Sequence, residues 1–168
     1  MRLFVAIELS EDIKDALSSV IISLKRQGAD ANFTRRDNMH LTLAFIGETP
    51  RLADAKACID TVDADAFEFS ISGSGCFGDL MWVGGCRRPA LDALAQKVRR
   101  SLLSAGFAID EKPFRSHITV ARRLVCEVKP TVSVPPAKMC VSEVTLMRSD
   151  RVNGKLVYTP VHRRRLRG

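Results

Sequence analysis

Several features that mark other classes of protein are missing from this chain of 168 residues. No apolar run approaches the roughly 18 residues that a transmembrane helix needs. The five cysteines are an odd number without a C-x-x-C pair, so the sequence indicates neither a disulfide framework nor a cysteine zinc site. Aromatic residues make up only 6%, and there are only three histidines. Because histidine is rare in this chain, its recurrence in one sequence pattern is informative.

The rest of the composition is typical of one ordinary globular domain. Hydrophobic residues make up 46% of the chain and charged residues 27%, which excludes a disordered protein. The apolar start, Leu3–Ile7, is too brief for a signal peptide and is followed directly by Glu11 and Asp12. We therefore expect a first strand of the fold, a single domain over residues 1–168 and a cytoplasmic protein that does not bind membranes.

Two segments repeat one pattern. His40-Leu41-Thr42-Leu43 and His117-Ile118-Thr119-Val120 each alternate a polar with an aliphatic residue, and Ala44 and Ala121 follow. A period of two predicts β-strands with His, Thr and Ala on one face and the aliphatic residues towards a core. The duplication favours a shared function, because a structural need would not obviously require the same polar pair twice.

The hydrophobic pattern elsewhere predicts alternating strands and helices. Helices are predicted from an N-cap at Ser10 to about Gly28, from Thr49 as N-cap with Pro50 at the first helical position, and from Pro89 to Gly106. Strands are predicted at residues 2–9, 39–47, 67–72, 79–85, 116–122, 139–147 and 155–161, the last two joined by a turn at Asn153-Gly154. A strand-helix-strand unit thus leads twice into a histidine strand. This order predicts an α+β fold of two similar lobes, with the histidine strands lining a groove between them.

The segment Gly73–Gly78 formally matches the G-x-G-x-x-G pattern of dinucleotide-binding proteins. That pattern requires a following helix, whose N-terminus meets the pyrophosphate. Here a strand-like segment follows, so we expect a hairpin connection instead.

Paired imidazoles in one groove suit acid-base catalysis near neutral pH, because the ordinary pKa of histidine is about 6.5. One ring can accept a proton from an attacking hydroxyl while the other protonates a departing oxygen. Thr42 and Thr119 can donate to phosphate oxygens, and Arg122 could add a charged contact if a twist or bulge turned it into the groove. A catalytic metal would need a third ligand, and no motif supplies one.

The formal charge of +7 favours an anionic partner. Several basic residues flank the histidine strands and favour a polyanion along the groove, although a solvated surface is the ordinary alternative; they are Arg35, Arg36, Lys112, Arg115, Arg122 and Arg123.

These residues resemble a known family. The paired motifs at 40–43 and 117–120 are similar to those of the 2H phosphoesterases, and the whole chain resembles the RNA 2′,3′-cyclic phosphodiesterases, also called 2′-5′ RNA ligases. The resemblance implies a bilobal, pseudo-twofold fold with two mainly antiparallel sheets lining the central groove and helices on the outer faces. It also implies hydrolysis of RNA 2′,3′-cyclic phosphate ends to 2′-phosphomonoesters without metal or cofactor, by a monomer, with reversible 2′-5′ ligation as a further activity.

Carried over by resemblance, His40 would be the proton donor to the departing 3′ oxygen and His117 the proton acceptor that activates water. Thr42, Thr119 and Arg122 would bind the phosphate. Phe33 stands where the family often has Trp, and Ser116 precedes His117 where Pro is usual, so the choice of substrate, such as tRNA fragments or small cyclic nucleotides, stays open. Two alternatives are a non-catalytic module that binds RNA ends or nucleotides and a phosphodiesterase for a small cyclic nucleotide.

Overall fold

A computed structural model describes residues 1–168 and contains nine strands and three α-helices. In chain order they are β1 Arg2–Glu8, α1 Glu11–Arg26, β2 Asp30–Phe33, β3 His40–Glu48, α2 Leu52–Asp60, β4 Phe67–Phe77, β5 Leu80–Gly85, α3 Pro89–Ser104, β6 His117–Val125, β7 Lys138–Val141, β8 Glu143–Val152 and β9 Lys155–Arg165. A short 3₁₀ turn, Arg36–Asn38, precedes β3. None of the helices is both long and apolar enough to cross a membrane.

Helix α1 forms where the sequence predicts it. Ser10 caps it by accepting a hydrogen bond from the Ile13 amide at 3.3 Å, and acidic residues in its first turn and basic ones in its last complement the helix dipole. Gly28, with φ of 84°, ends the segment in a conformation that glycine adopts without strain. The predicted apolar face of α1 is buried, as is that of α3.

The strands form two antiparallel sheets, one in the order β3-β1-β8-β9 and one in the order β2-β6-β5-β4-β7. Each histidine strand pairs with the strand that precedes a long helix, β3 with β1 and β6 with β5. The order β3-β1-β8-β9 therefore matches β6-β5-β4-β7, with β2 added as an outer edge. This correspondence confirms the predicted bilobal, pseudo-twofold α+β fold.

The helices connect the lobes. Helix α1 follows β1 of the first sheet but contacts β6 and β7 of the second, whereas α3 follows β5 of the second sheet and contacts β3 of the first as well as β4 of the second. A continuous core of 38 buried residues results, and it includes residues from both sheets. The opposite face of the first sheet carries only a small apolar cluster of Phe4, Ala6 and Met147, against which Tyr158 packs. That face lines the groove.

The structure corrects two predicted segments. The strand expected over residues 139–147 is two strands, because the chain passes from the second sheet to the first at Ser142: β7 pairs with β4, and β8 pairs with β1. Helix α2 begins two residues later than predicted, since Thr49 is buried and its hydroxyl accepts from the Arg51 amide at 3.1 Å, which forms a turn before the helix.

Two turn predictions are confirmed. Asn153 and Gly154 have φ values of 50° and 76° and close the β8–β9 hairpin, as an Asn-Gly turn requires. The segment Gly73–Gly78 lies at the end of β4 and in its turn to β5, so it is a hairpin connection and not a dinucleotide loop.

Candidate active site

A cavity of about 830 Å³ lies in the groove between the sheets. Its lining includes every site residue that the sequence predicts: His40, Thr42, His117, Thr119 and Arg122. Strand β3 of the first sheet supplies the first two, and strand β6 of the second sheet supplies the other three. No group of three or more His, Cys, Asp or Glu side chains is arranged to hold a metal ion.

Strand β3 departs from simple alternation immediately after its motif. His40 and Thr42 face the groove while Leu41 and Leu43 are buried, as predicted. The pairing with β1 then shifts by one residue, so that Thr42 lies opposite Ala6 but Ala44 lies opposite Val5. Such a bulge reverses the faces that follow it. Ala44 is therefore buried, contrary to the prediction, and Phe45 is 58% exposed in the groove.

Strand β6 carries the same bulge at the same place in its motif. Thr119 lies opposite Trp82 and Ala121 opposite Met81, so Val120 is the additional residue. Ala121 is fully buried, again contrary to the expectation from alternation. Arg122, which alternation alone would place on the far face, lines the cavity together with His117 and Thr119. The bulges thus put Arg122 in one lobe and Phe45 in the other at equivalent positions.

Both histidines are oriented by the same local hydrogen bond. The Nδ1 of His40 lies 2.7 Å from the Asn38 carbonyl, and the Nδ1 of His117 lies 2.7 Å from the Arg115 carbonyl. A carbonyl only accepts, so in each ring Nδ1 carries a proton and Nε2 makes no hydrogen bond within the protein. Each ring can therefore exchange a proton at Nε2.

Aromatic side chains surround both rings. The His40 ring lies 4.9 Å from Phe4 and 5.0 Å from Tyr158, between centroids. The His117 ring lies 5.3 Å from Phe77 and 6.5 Å from Trp82. The Trp82 indole in turn packs on Gly75, where a Cβ would come within 2.4 Å of the ring. Gly75 is thus required by the close approach of the indole that borders His117.

The environment of His40 lowers its pKa. Burial is the main cause, because it disfavours the charged imidazolium, and the electrostatic effects of Arg122 and of His117 act in the same direction. The hydrogen bond to the Asn38 carbonyl opposes them. Burial also raises the pKa of Tyr158, and the charges of Arg122, Arg2 and Arg151 partly offset that rise. The free groove therefore favours neutral His40 and holds unneutralised positive charge.

A residue that the sequence did not indicate, Arg99 of α3, connects the two histidine segments. Its Nε donates to the carbonyl of Leu43, at the β3 bulge, at 3.1 Å, and its Nη1 donates to the carbonyl of Lys112 at 2.7 Å, in the loop that leads to His117. In the other lobe Thr34, the residue that follows β2, serves this purpose, because its amide donates to the carbonyl of Val120 at 2.9 Å. Strand β3 lies at the edge of its sheet, so Arg99 replaces a neighbouring strand.

The third histidine, His162, and the two positions that differ from the resembled family, Phe33 and Ser116, lie outside the cavity lining. His162 contacts Asp60 at 2.7 Å, and Phe33 on β2 lies under the Lys25 ammonium. The hydroxyl of Ser116 is buried without a hydrogen-bond partner. All five cysteines are free thiols.

Similar known proteins show the family to which the chain belongs. Residues 9–153 match the sequence profile described as the 2′-5′ RNA ligase superfamily. The chain belongs to this superfamily. It is 33% identical over 131 residues to the RNA 2′,3′-cyclic phosphodiesterase of Thermotoga maritima, covering 73% of this chain and 70% of that protein. It is 30% identical over 163 residues to that of Geobacillus stearothermophilus, covering 88% of this chain but only 52% of that relative.

Solved structures place the whole fold in the same superfamily. The chain superposes on Escherichia coli LigT complexed with NADP+ with a TM-score of 0.79 and 28% identity, covering 99% of this chain and 98% of that one. The complex of the same protein with 3′-AMP gives a TM-score of 0.80 and 27% identity, covering 98% and 97%. The likeness therefore extends over both lobes and the groove.

Proposed function

We propose that this chain is an RNA 2′,3′-cyclic phosphodiesterase that converts cyclic phosphate ends to 2′-phosphomonoesters. The observation that carries the proposal is the pair of imidazoles in one cavity, each with Nδ1 held by a backbone carbonyl and Nε2 free. Relatives named RNA 2′,3′-cyclic phosphodiesterase support the choice of reaction. Both histidines come from one chain, so the site does not need a second subunit.

The two rings have complementary roles. His117 accepts a proton at Nε2 from the attacking water, whose oxygen forms a bond to phosphorus. The bond from phosphorus to the 3′ oxygen breaks, and His40 donates the proton from its Nε2 to that departing oxygen. The product carries a 2′-phosphate and a 3′-hydroxyl, and exchange of protons with solvent restores the two rings.

Thr42, Thr119 and Arg122 stabilise the negative charge on the phosphate. Thr42 and Thr119 lie on the same strand faces as His40 and His117. Their hydroxyls donate hydrogen bonds to the non-bridging phosphate oxygens. Arg122, turned into the groove by the β6 bulge, adds a charge-assisted hydrogen bond. None of these contributions uses a metal ion, so we expect turnover in the presence of EDTA.

The pKa of His40 fits a donor role only when substrate is bound. Burial and Arg122 lower its pKa in the free protein, which keeps the ring neutral at neutral pH. The negative charge of a bound cyclic phosphate favours the imidazolium and raises that pKa again. Substrate binding thus supplies the protonated His40 that the reaction needs.

Ligation follows from the same groups. If a 5′-hydroxyl replaces water as nucleophile, His117 accepts its proton and His40 protonates the 3′ oxygen, which leaves a 2′-5′ linkage. The energy comes from opening the strained cyclic phosphate, so no nucleotide triphosphate is consumed.

One assay with product analysis tests the proposal. The protein is incubated in EDTA with an oligoribonucleotide that ends in a 2′,3′-cyclic phosphate and, separately, with a cyclic mononucleotide. We expect 2′-phosphorylated oligonucleotide as the product. Binding of the oligonucleotide without turnover would contradict an enzyme and indicate a module that binds RNA ends. Turnover of the mononucleotide alone would indicate that the substrate is a small cyclic nucleotide and not RNA.

A further inference from the structure

A second group of polar side chains lies on the groove face of the first sheet, beyond the histidine pair. Ser149 of β8 lies directly opposite Arg2 of β1 on one side and opposite Tyr158 of β9 on the other. Arg151 follows two residues later on the same strand and therefore on the same face. All four side chains line the cavity. We call Arg2, Ser149, Arg151 and Tyr158 the Ser149 cluster.

The positive charge of the Ser149 cluster is not neutralised within the protein. Arg2 forms no ion pair or side-chain hydrogen bond, and Arg151 has only a 3.4 Å contact to the Gly154 carbonyl. The two carboxylates nearby have other partners: Glu48 contacts the amino group of Met1 at 3.4 Å, and Asp150 accepts from Arg148 at 2.8 Å. Two free guanidinium groups and two hydroxyls are a donor set that suits a phosphate.

The Ser149 cluster is adjacent to the reaction centre but separate from it. Tyr158 contacts the His40 ring edge-on, at 5.0 Å between centroids, and the rest of the cluster extends away from it along β8 and β1. The phosphate ligands proposed for catalysis, Thr42, Thr119 and Arg122, belong to strands β3 and β6. The groove therefore offers donors for two anions at neighbouring positions.

We propose that the Ser149 cluster binds the phosphate that joins the terminal nucleotide of the RNA to the preceding one. This inference rests on the proposed function, since it takes the cyclic phosphate to lie between His40 and His117. It makes an RNA chain of at least two nucleotides the preferred substrate, because a cyclic mononucleotide lacks the second phosphate.

The experiment compares adenosine 2′,3′-cyclic phosphate with the dinucleotide ApA bearing a terminal 2′,3′-cyclic phosphate. The wild type should hydrolyse the dinucleotide with a kcat/KM at least tenfold higher, a ratio in the range of a charge-assisted hydrogen bond. Arg2→Met and Arg151→Met should each lower kcat/KM for the dinucleotide about tenfold, mainly through KM, and that for the mononucleotide less than about threefold. Each should also reduce, by about one, the slope of the logarithm of the dinucleotide binding constant against the logarithm of the salt concentration.

Arg100→Met is the matched control, because Arg100 is exposed on α3 and lies outside the groove lining. It should leave the ratio of the two kcat/KM values at the wild-type level. A 5′-phosphate added to the cyclic mononucleotide should restore most of the dinucleotide preference, and Arg151→Met should remove that gain.

An equal loss of kcat/KM for both substrates in folded Arg2→Met and Arg151→Met would overturn the inference. A wild type that hydrolyses both substrates with the same kcat/KM would also overturn it. Absence of hydrolysis of either substrate would refute the proposed function instead. Equilibrium binding of the two compounds then still decides the inference, because the Ser149 cluster requires tighter binding of the dinucleotide in the wild type and loss of that difference in the two variants.

Discussion

At the scale of single residues, the two histidines differ through their neighbours and not through their motifs. Each has a threonine two positions later and the same backbone hydrogen bond. Five positions after the histidine, however, one lobe places Phe45 in the groove and the other places Arg122. The charge of Arg122 adds to burial in lowering the pKa of His40. This asymmetry is a physical basis for giving the two rings different roles.

The pKa of His40 can be measured directly, because a chain with three histidines gives a simple imidazole NMR spectrum. We predict that His40 titrates below the ordinary value of about 6.5 in the free protein. Arg122→Met should raise the pKa, since it removes a cation that disfavours the imidazolium, and a bound 2′-phosphomonoester should raise it further. Arg123→Met is the control, as Arg123 lies outside the cavity lining. An unchanged or lower pKa of His40 in Arg122→Met would contradict this electrostatic account.

At the scale of elements, the two equivalent bulges give the groove its chemistry. Without them Ala44 and Ala121 would face the groove, and Phe45 and Arg122 would not. Each bulge leaves a carbonyl that needs a donor from outside its own pair of strands, because an unpaired buried carbonyl costs about 1–3 kcal/mol. Thr34, which follows β2, supplies the donor to the Val120 carbonyl, and Arg99 supplies the donor to the Leu43 carbonyl.

Arg99 therefore supports the site without lining the cavity. We predict that Arg99→Met lowers kcat about tenfold and the free energy of unfolding by about 1–3 kcal/mol, because the Leu43 carbonyl loses its donor and the loop before His117 loses its attachment. Arg99→Lys should recover part of both, and Arg100→Met on the exposed side of the same helix should change neither. Turnover measurements and urea unfolding provide the check, and wild-type values for Arg99→Met would show that the bulge needs no such support.

Local patterns predict most elements but not the features that depend on distant parts of the chain. The caps and apolar faces of α1 and α3 are properties of neighbouring residues, and they were predictable. The bulges depend on how β3 and β6 pair with other strands. The separation of residues 139–147 into β7 and β8 depends on two sheets competing for one apolar segment. In the sequence Arg99 cannot be distinguished from other basic residues of an exposed helix face, because its contacts depend on the packing of α3 against β3.

At the scale of the whole molecule, the fold brings two distant copies of one motif to a single site. Helix α1 packs against the second sheet, and α3 packs against β3 of the first sheet and β4 of the second, so the lobes share one core. Within the groove Arg2, Arg122 and Arg151 lack carboxylate partners. Part of the net charge of +7 therefore lies where an anionic substrate would bind. The sequence predicted a polyanion along the groove from the basic residues that flank the histidine strands, but it did not indicate Arg2 or Arg151.

The central claim is that His40 and His117 together perform the reaction, and substitution of each histidine tests it most directly. His40→Ala and His117→Ala should each lower turnover of an RNA 2′,3′-cyclic phosphate at least about 100-fold, because each removes one proton transfer, while circular dichroism and thermal unfolding remain close to wild type. His162→Ala is the matched control and should keep turnover within about twofold, since His162 contacts Asp60 outside the groove lining. Wild-type turnover in either His40→Ala or His117→Ala would contradict the account.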